Sequence, residues 1–344
     1  MKRVTLKEIA SEVGCSAMTV SCALRNSPKV LPATREKILA VATRLGYRPD
    51  PELTKLMQHL RQPDLHSFSH NLAFINSWPD RDEPTKGYTG QLYTGAQNRA
   101  AQLGFNLEIF WLKERGMTAR RLSTILYNRG IRGILLPPWH HPEEIPALDW
   151  SRFSVVAATL SIIRPPINRV VPHIFHNTVM AFDELLRLGY RRIGYLETQD
   201  SFERSEQLAR GAFELVRATR IPDPVVPALT LKDEHDPALE GWFDRHRPDA
   251  IVSPHAFAYR RLKESRGITV EDCGYLVLDA LQNDSLTAID QMPGNLGSAS
   301  VDLLFAQILR NESGIPENPK LVSLGGRLRP GSSTRRVPTK ARVK

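Results

Sequence analysis

A small all-α helix-turn-helix domain followed by an α/β core of two doubly wound parallel-sheet lobes is the fold class this sequence predicts. Three observations predict it. The first sixty residues carry two short amphipathic helical patterns joined by a tight turn, and a third that would bury their shared apolar side. From Asn71 onward, short apolar strands alternate with helical stretches, and that run occurs twice. Alternation at these lengths implies parallel sheets covered on both faces. Finally, positive charge collects at the two ends of the chain and leaves the middle near neutral.

The head is locally self-consistent. Thr5 and Glu8 fit a capping box, in which hydroxyl and carboxylate each satisfy an orphan amide at a helix start. Ile9, Ala10 and Val13 form one apolar face. Gly14 suits the left-handed residue that ends the helix. Ser16 caps a second helix with Val20, Ala23 and Leu24 inside and Ala17, Met18, Ser21, Cys22 and Arg25 outside. Pro32 suits the first turn of a third helix, with Ile38, Val41, Ala42 and Leu45 inside and Gly46 as its stop. Helices this short must pack together to persist.

In the core, Leu72–Ile75 reads as a strand and Tyr88–Leu103 as a helix closed by Gly104. Asn106–Trp111 is a strand, Thr118–Asn128 a helix, and Gly133–Leu136 and Ser154–Ala158 are strands. After Pro165-Pro166 the pattern repeats. Thr178–Leu188 is a helix, Arg192–Leu196 a strand, Ser205–Thr219 a helix, and Ala250–Val252 and Gly274–Leu278 are strands. Arg61 to His70 is a polar linker.

Charge and composition narrow the function. The 344 residues carry net charge +9. Residues 1–61 hold eleven basic and five acidic side chains, giving +6, and the last ten hold five basic side chains and no acid. A basic head coinciding with a helix-turn-helix pattern points to duplex DNA. Cys15, Cys22 and Cys273 form no C-x-x-C pair, which argues against a disulfide framework or a zinc site and fits a reducing cytoplasm. No apolar run approaches the roughly 20 residues of a membrane span, and no secretory segment opens the chain. No cofactor or metal is expected. His173-x-x-His176 and Asp233-Glu234-His235-Asp236 read as solvated surface, and no nucleophile elbow, phosphate loop or HExxH is present.

Val4-Thr5-Leu6-Lys7-Glu8-Ile9-Ala10, Thr19-Val20-Ser21, Thr34-Arg35-Glu36-Lys37-Ile38-Leu39 and Leu45-Gly46-Tyr47-Arg48-Pro49 resemble the LacI/GalR family of transcription regulators. Leu188-Gly189-Tyr190-Arg191-Arg192-Ile193, Leu286–Gln291 with Leu296-Gly297, and Pro330–Thr334 extend the resemblance through the core. It implies a periplasmic-binding-protein-like core that crosses between lobes three times, placed here near Arg164, Gln282 and Glu317. The domains are then a helix-turn-helix at 1–48, a hinge helix at 49–61, a linker at 62–70, a core at 71–334 and a basic disordered tail at 335–344. Lobe 1 spans about 71–163 and 286–317, and lobe 2 about 164–285 and 318–334.

The resemblance also assigns contacts. Ala17, Met18 and Cys22 face bases, while Thr5, Ser16, Thr19, Ser21, Asn26 and Thr34 lie near phosphate; Arg25, Lys29 and Tyr47 complete the DNA-facing set. Cys22 stands where the family usually has an Arg able to grip guanine, so readout shifts to thymine methyls and shape, with Arg25 a candidate compensator. Leu56 takes the place of the hinge leucine that wedges into the minor groove. Two half-sites require a homodimer, and the tail shows no apolar heptad for a tetramer.

Ligands of doubly wound sheets lie beyond the C-terminal strand ends. Trp78, Tyr88, Trp139, His140, Thr159, His176, His255 and Asp279 are the effector candidates, with Trp111 and Gln199 at neighbouring strand ends. Aromatic faces with a few polar groups suit a sugar or nucleoside-like molecule. Several usual ligand positions are replaced: Leu208 stands for the gripping Arg, His255-Ala256 for Asn-Asp, His176-Asn177 for Asp-Asn and Val277-Leu278-Asp279-Ala280 for Gly-Phe-Asp-Asp. The expected effector is therefore not an ordinary hexose, or none exists. A palindromic operator and repression follow from the resemblance. A solute-binding protein and an effector-independent DNA-binding regulator are the alternatives.

Overall fold

The computed structural model describes residues 4–24, 27, 30–47, 71–77, 86–139, 148–162, 164–221, 226–280 and 285–337. The expected hinge at 49–61 and linker at 62–70 lie outside them.

Helix α1 (Leu6–Val13) opens on the capping box. The Glu8 amide donates to Thr5 Oγ1 at 3.4 Å, and the Thr5 amide donates to Glu8 Oε2 at 2.7 Å. Gly14 ends the helix at φ 75°, a left-handed turn that favours glycine. Helix α2 (Ala17–Leu24) follows, with the Thr19 amide donating to Ser16 Oγ at 3.0 Å. Helix α3 (Pro32–Arg44) starts on proline, whose missing N–H would be unpaired there in any residue. Ile9, Val20, Ala23, Ile38 and Ala42 close a single small core. Arg35 Nη2 donates to the Ser27 and Val30 carbonyls at 2.7 and 3.2 Å and so fixes the turn between α2 and α3.

Lobe 1 is built from β1 (Asn71–Asn76), α4 (Gly87–Gln102), β2 (Asn106–Trp111), α5 (Ala119–Asn128), β3 (Gly133–Leu136), β4 (Ser154–Ala157) and β5 (Asn168–Pro172). The chain then forms α6 (Ile174–Leu188), β6 (Ile193–Thr198), α7 (Gln199–Arg204), α8 (Leu208–Thr219), β7 (Leu229–Leu231), α9 (Ala238–His246), β8 (Ala250–Ser253), α10 (Phe257–Arg266), β9 (Gly274–Val277) and β10 (Thr287–Asp290) of lobe 2. Helix α11 (Pro293–Arg310) returns to lobe 1, β11 (Leu321–Leu324) joins its sheet, and β12 (Arg327–Arg329) joins the other. The first sheet runs β11-β5-β4-β3-β1-β2, with every pairing parallel. The second runs β12-β10-β9-β8-β6-β7, with only β12 antiparallel. Both faces of each sheet are covered by apolar clusters. That is why these strands read as continuous apolar runs. Each fully buried Leu or Phe there adds about 1.5–3 kcal/mol. Helices α4 and α11 touch backbone to backbone: a Cβ on Gly297 would stand 2.0 Å from the Leu92 carbonyl oxygen, so only glycine fits.

The crossings differ from the expected positions. They fall at His173, at Gln291–Met292 and at Gly325–Gly326 rather than near Arg164, Gln282 and Glu317. Pro165-Pro166 marks a loop inside lobe 1, because Asn168–Pro172 pairs with β4 on one side and β11 on the other. Residues 286–290 belong to lobe 2, since β10 pairs with β9. The tail is not disordered from Arg335. The Arg335 amide donates to Tyr190 Oη at 3.0 Å, its guanidinium lies 2.8 Å from Glu271, and the Val337 amide donates to the Leu188 carbonyl at 2.8 Å. Residues 338–344 lie outside the described set. Among the described residues, no helix is long and apolar enough to cross a membrane.

Candidate functional site

Two surfaces carry candidate chemistry. On the head, the start of α2 is exposed, with Met18 58% exposed and Ala17, Ser21 and Cys22 half-buried. Ser16 and Thr19, with hydroxyls 2.9 Å apart, fix the end of this helix, as Thr5 fixes that of α1. Amide-rich helix starts of this kind favour an anion such as phosphate. Thr34 is half-buried in the first turn of α3, and Tyr47 packs partly against the head core. The predicted contacts Arg25, Asn26, Lys29 and Leu56 lie outside the described residues. Arg35, which sequence reasoning left without a task, holds the loop that leads from α2 to α3. Nothing in the local sequence pattern marks it.

The second surface is a cavity of about 590 Å³ between the lobes, within the roughly 300–1,000 Å³ typical of small-molecule sites. Strand ends of both sheets form its walls, as expected for doubly wound folds. From lobe 1 come Tyr88 in the first turn of α4, and Thr159 and Ser161 beyond β4. From lobe 2 come Asn177, Ser201, Arg204, His255 and Asp279, with Gln291 at a crossing. The lobes are clasped here: Arg204 Nη1 donates to the Trp139 carbonyl at 2.6 Å, and Arg169 pairs with Glu206 at 2.9 Å. Asn177 Oδ1 accepts the Gly326 amide at 2.8 Å, and Gln291 Nε2 donates to the Leu278 carbonyl at 2.8 Å.

The electrostatics are specific. Burial first, and then neighbouring Asp290, push the Asp279 carboxyl up to about 6. Burial and those two acids push the Tyr88 phenol above its usual range. Desolvation holds the His255 imidazole below its ordinary value and outweighs the pull of Asp200. Its Nε2 lies 2.7 Å from Ser201 Oγ. Asp200 sits 2.7 Å from Arg204 Nε, so these two charges largely neutralise each other.

Of the predicted effector residues, the structure brings Tyr88, Thr159, His255 and Asp279 to one cavity. Trp139 is a correction: its side chain is 1% exposed and packs into the lobe 1 core with Ile75 and Leu136, away from the cavity. Pro138 lines the cleft, while the indole of the next residue packs inward. His176 is a second correction. It is exposed, its amide donates to the capping Nδ1 of His173 at 3.3 Å, and its neighbour Asn177 takes the wall position. Neither Trp111 nor Gln199 lines the cavity. Trp78 and His140 lie outside the described residues. Arg204 was missed. Leu208, at the family's arginine position, is 36% exposed on the start of α8, and Arg204 enters the cleft one helical turn earlier. The Asp200/Arg204 spacing just after a strand was its only signal in the sequence. Asp233 and Asp236 serve as turn caps, accepting the amides of His235, Lys232 and Ala238.

Residues 5–50 match the family model for bacterial regulatory proteins, lacI family. The head is a lacI-family helix-turn-helix domain. The chain is 27% identical over 197 residues to the sucrose operon repressor of Escherichia coli, covering 55% of this chain and 54% of that one. It is 43% identical over 209 residues to the transcriptional regulator GalS of Salmonella typhimurium, covering 58% and 55%. To the repressor CytR of Escherichia coli it is 22% identical over 320 residues, covering 88% and 89%. The chain thus spans about half the length of the first two relatives. These relatives are transcriptional regulators rather than enzymes. Among solved structures, a CelR–cellobiose complex superposes with TM-score 0.58 at 20% identity over 96% of this chain and all of that one. A lac repressor dimer bound to operator and the anti-inducer ONPF gives 0.56 at 21% identity over 97% and all of that chain. At such identities the likeness establishes the fold: a helical head and two parallel-sheet lobes.

Proposed function

We propose that this chain is a sequence-specific DNA-binding transcriptional regulator, acting as a cytoplasmic repressor. It binds a palindromic operator as a homodimer and answers to a small molecule in the interlobe cleft. The observation that carries this is the lacI-family head, whose second helix starts on a Ser16 cap and exposes Met18, with Ala17 and Cys22 half-buried beside it. A recognition helix offers its N-terminal side chains to base edges in the major groove. Three small or apolar side chains read thymine methyls and shape rather than guanine. Leu56 supplies the minor-groove wedge, and a hinge helix formed only on DNA couples head to lobes.

The cleft supports an effector because both lobes line it and both clasping contacts cross it. A ligand that changes the lobe angle changes the geometry offered to the two half-sites. Leu208 in place of an arginine argues against an ordinary hexose.

Selection of bound sequences from random duplexes, followed by gel shift, tests the reading. A palindromic consensus with two half-sites, bound as a dimer, is the expected result. No preference for any palindrome over bulk DNA at moderate salt overturns it. Calorimetric binding of a common hexose at micromolar affinity overturns the part concerning the effector.

A further inference from the structure

We infer that the cleft is built for a ligand carrying a protonated amine on a hydroxylated frame, the ammonium lying between Tyr88 of lobe 1 and Asp279 of lobe 2. The inference rests on the effector reading above and names its ligand class.

The first ground is the charge of the described cavity wall. It holds three ionic side chains: Asp200, Arg204 and Asp279. Asp200 and Arg204 form an ion pair at 2.7 Å, and Arg204 spends a second nitrogen on the Trp139 carbonyl. Asp279 makes no hydrogen bond or ion pair with a described residue. The charge that acts on it is another acid, Asp290, on the adjacent strand β10. Asp290 is itself held in place, with Oδ1 accepting the Met292 amide at 2.8 Å. Among the described residues, the wall therefore presents one uncompensated negative charge. A carboxylate sheltered from water beside a second carboxylate is costly until a cation arrives. A neutral hexose supplies hydrogen bonds but leaves that charge standing.

The second ground is what faces Asp279. Tyr88 stands in the same electrostatic field, feeling both Asp279 and Asp290, and it too makes no hydrogen bond with a described residue. A phenol ring and a carboxylate lining one cavity are ammonium-binding chemistry: the ring face and the carboxylate attract the same cation. Because ring and carboxylate belong to different lobes, the bound cation would hold the lobes together, which gives the ligand its lever on the DNA-bound state.

The third ground is the rest of the wall. Thr159 and Ser161 hydroxyls lie 2.8 Å apart, and Ser201 Oγ is 2.7 Å from His255 Nε2. These are short, rotatable donors and acceptors suited to ligand hydroxyls. They alternate with Pro138, Pro172 and Leu278, which suit the carbon face of a compact ring.

The test is isothermal titration of the full chain at pH 7 with glucosamine, galactosamine and mannosamine, each against its parent hexose and its N-acetyl derivative. At least one amino sugar is expected to bind about tenfold tighter than both neutral counterparts, the size of one partly desolvated charge contact. Asp279→Asn should erase that preference and Asp279→Glu should retain part of it, with the melting temperature confirming that both variants fold. Equal binding of the neutral sugars, an amine preference that survives Asp279→Asn, or silence of all three amino sugars overturns the inference. Gel shift of the unliganded protein on its selected duplex is scored separately, so failure of operator binding is distinguishable from failure of ligand class.

Discussion

The helix ends of the head are fixed by partners three residues apart: Thr5 with Glu8, and Ser16 with Thr19. The cleft is assembled instead from side chains at the start of α4, beyond β4, on α7 and beyond β9, brought together only by two complete sheets. Local partners tolerate little exchange, because each satisfies a specific orphan amide. Wall residues such as Thr159, His255 and Asp279 lie beyond strand ends and hold no sheet together, so they can change while the fold persists. The helix ends of the head are therefore constrained by near neighbours, while the cleft wall is free to vary.

The sharpest way to break this division is to damage the head's core alone. Ile38 is fully buried where the three helices meet. Ile38→Ala should cost about 2–5 kcal/mol, more than a domain this small can spare. Operator affinity should then fall by about a hundredfold or more, the factor for roughly 3 kcal/mol. The core's melting temperature should not move. Gel shift and calorimetry on one preparation check both. A matching drop in core stability would show that head and lobes do not fold as separate units.

The same division explains what the sequence revealed. Capping box, Gly14 and Pro32 are short-range signals, and both ends of α1 and the start of α3 followed from them. Strands β1 to β4, β6, β8 and β9 stood out as apolar runs. Strands β5, β7, β10, β11 and β12 did not. Each is only three to five residues long, and β5 and β11 become strands by pairing with each other across the whole of lobe 2. Helix α6 begins at Ile174, a turn before the expected Thr178, because His173 supplies a side-chain cap. The expected helix over 205–219 starts only at Leu208, after Glu206 and Gln207 at positive φ, and a separate short helix, α7, carries Arg204 to the cleft. Position beyond a strand end brought Thr159, His255 and Asp279 to the cavity, while Tyr88 lies at the start of helix α4. The same rule misplaced Trp139, because in the segment after β3 it is Pro138 that faces the cavity and its neighbour that faces the core.

A gentler probe of the head is its base readout. Cys22 is half-buried on α2, close enough to the outer face for a longer side chain to reach outward along its apolar stem. Cys22→Arg should add a guanine contact and shift the selected half-site, with about 1–3 kcal/mol of new discrimination at that position. Selection from random duplexes reads this directly. An unchanged consensus with merely tighter binding would mean that Cys22 does not face a base.

For the cleft, the corresponding probe is pH. The folded Asp279 carboxyl titrates near 6, above its ordinary value of 3.8, so ionising it opposes folding. That cost is absent below about pH 4, grows as pH rises through 6 and is complete above it. Asp279→Asn should therefore stabilise the unliganded protein at pH 7.5. Two pKa units amount to roughly 3 kcal/mol in a dry site, and cavity water reduces this to about 1–2 kcal/mol. The melting temperature should rise by about 2–8 °C at pH 7.5, and the gain should vanish near pH 4. A gain of equal size at both pH values would trace the stabilisation to packing rather than to the buried charge.

The smallest expected effect distinguishes a helix cap from a phosphate contact at Thr5. Thr5→Ala removes the hydroxyl that accepts the Glu8 amide at 3.4 Å and donates to Glu8 Oε2 at 3.1 Å, but leaves the shorter 2.7 Å bond from the Thr5 amide to Glu8 Oε2. The bonds lost are the longer and weaker ones. The loss should sit at the low end for a cap, about 0.5–1 kcal/mol. If the hydroxyl only caps, operator affinity falls by no more than that stability loss predicts, and Thr5→Ser restores both. If it also meets phosphate, affinity falls further and by the same factor on specific and bulk DNA, since phosphate contacts carry no sequence information. A loss confined to one operator sequence would contradict both roles and place Thr5 at a base edge.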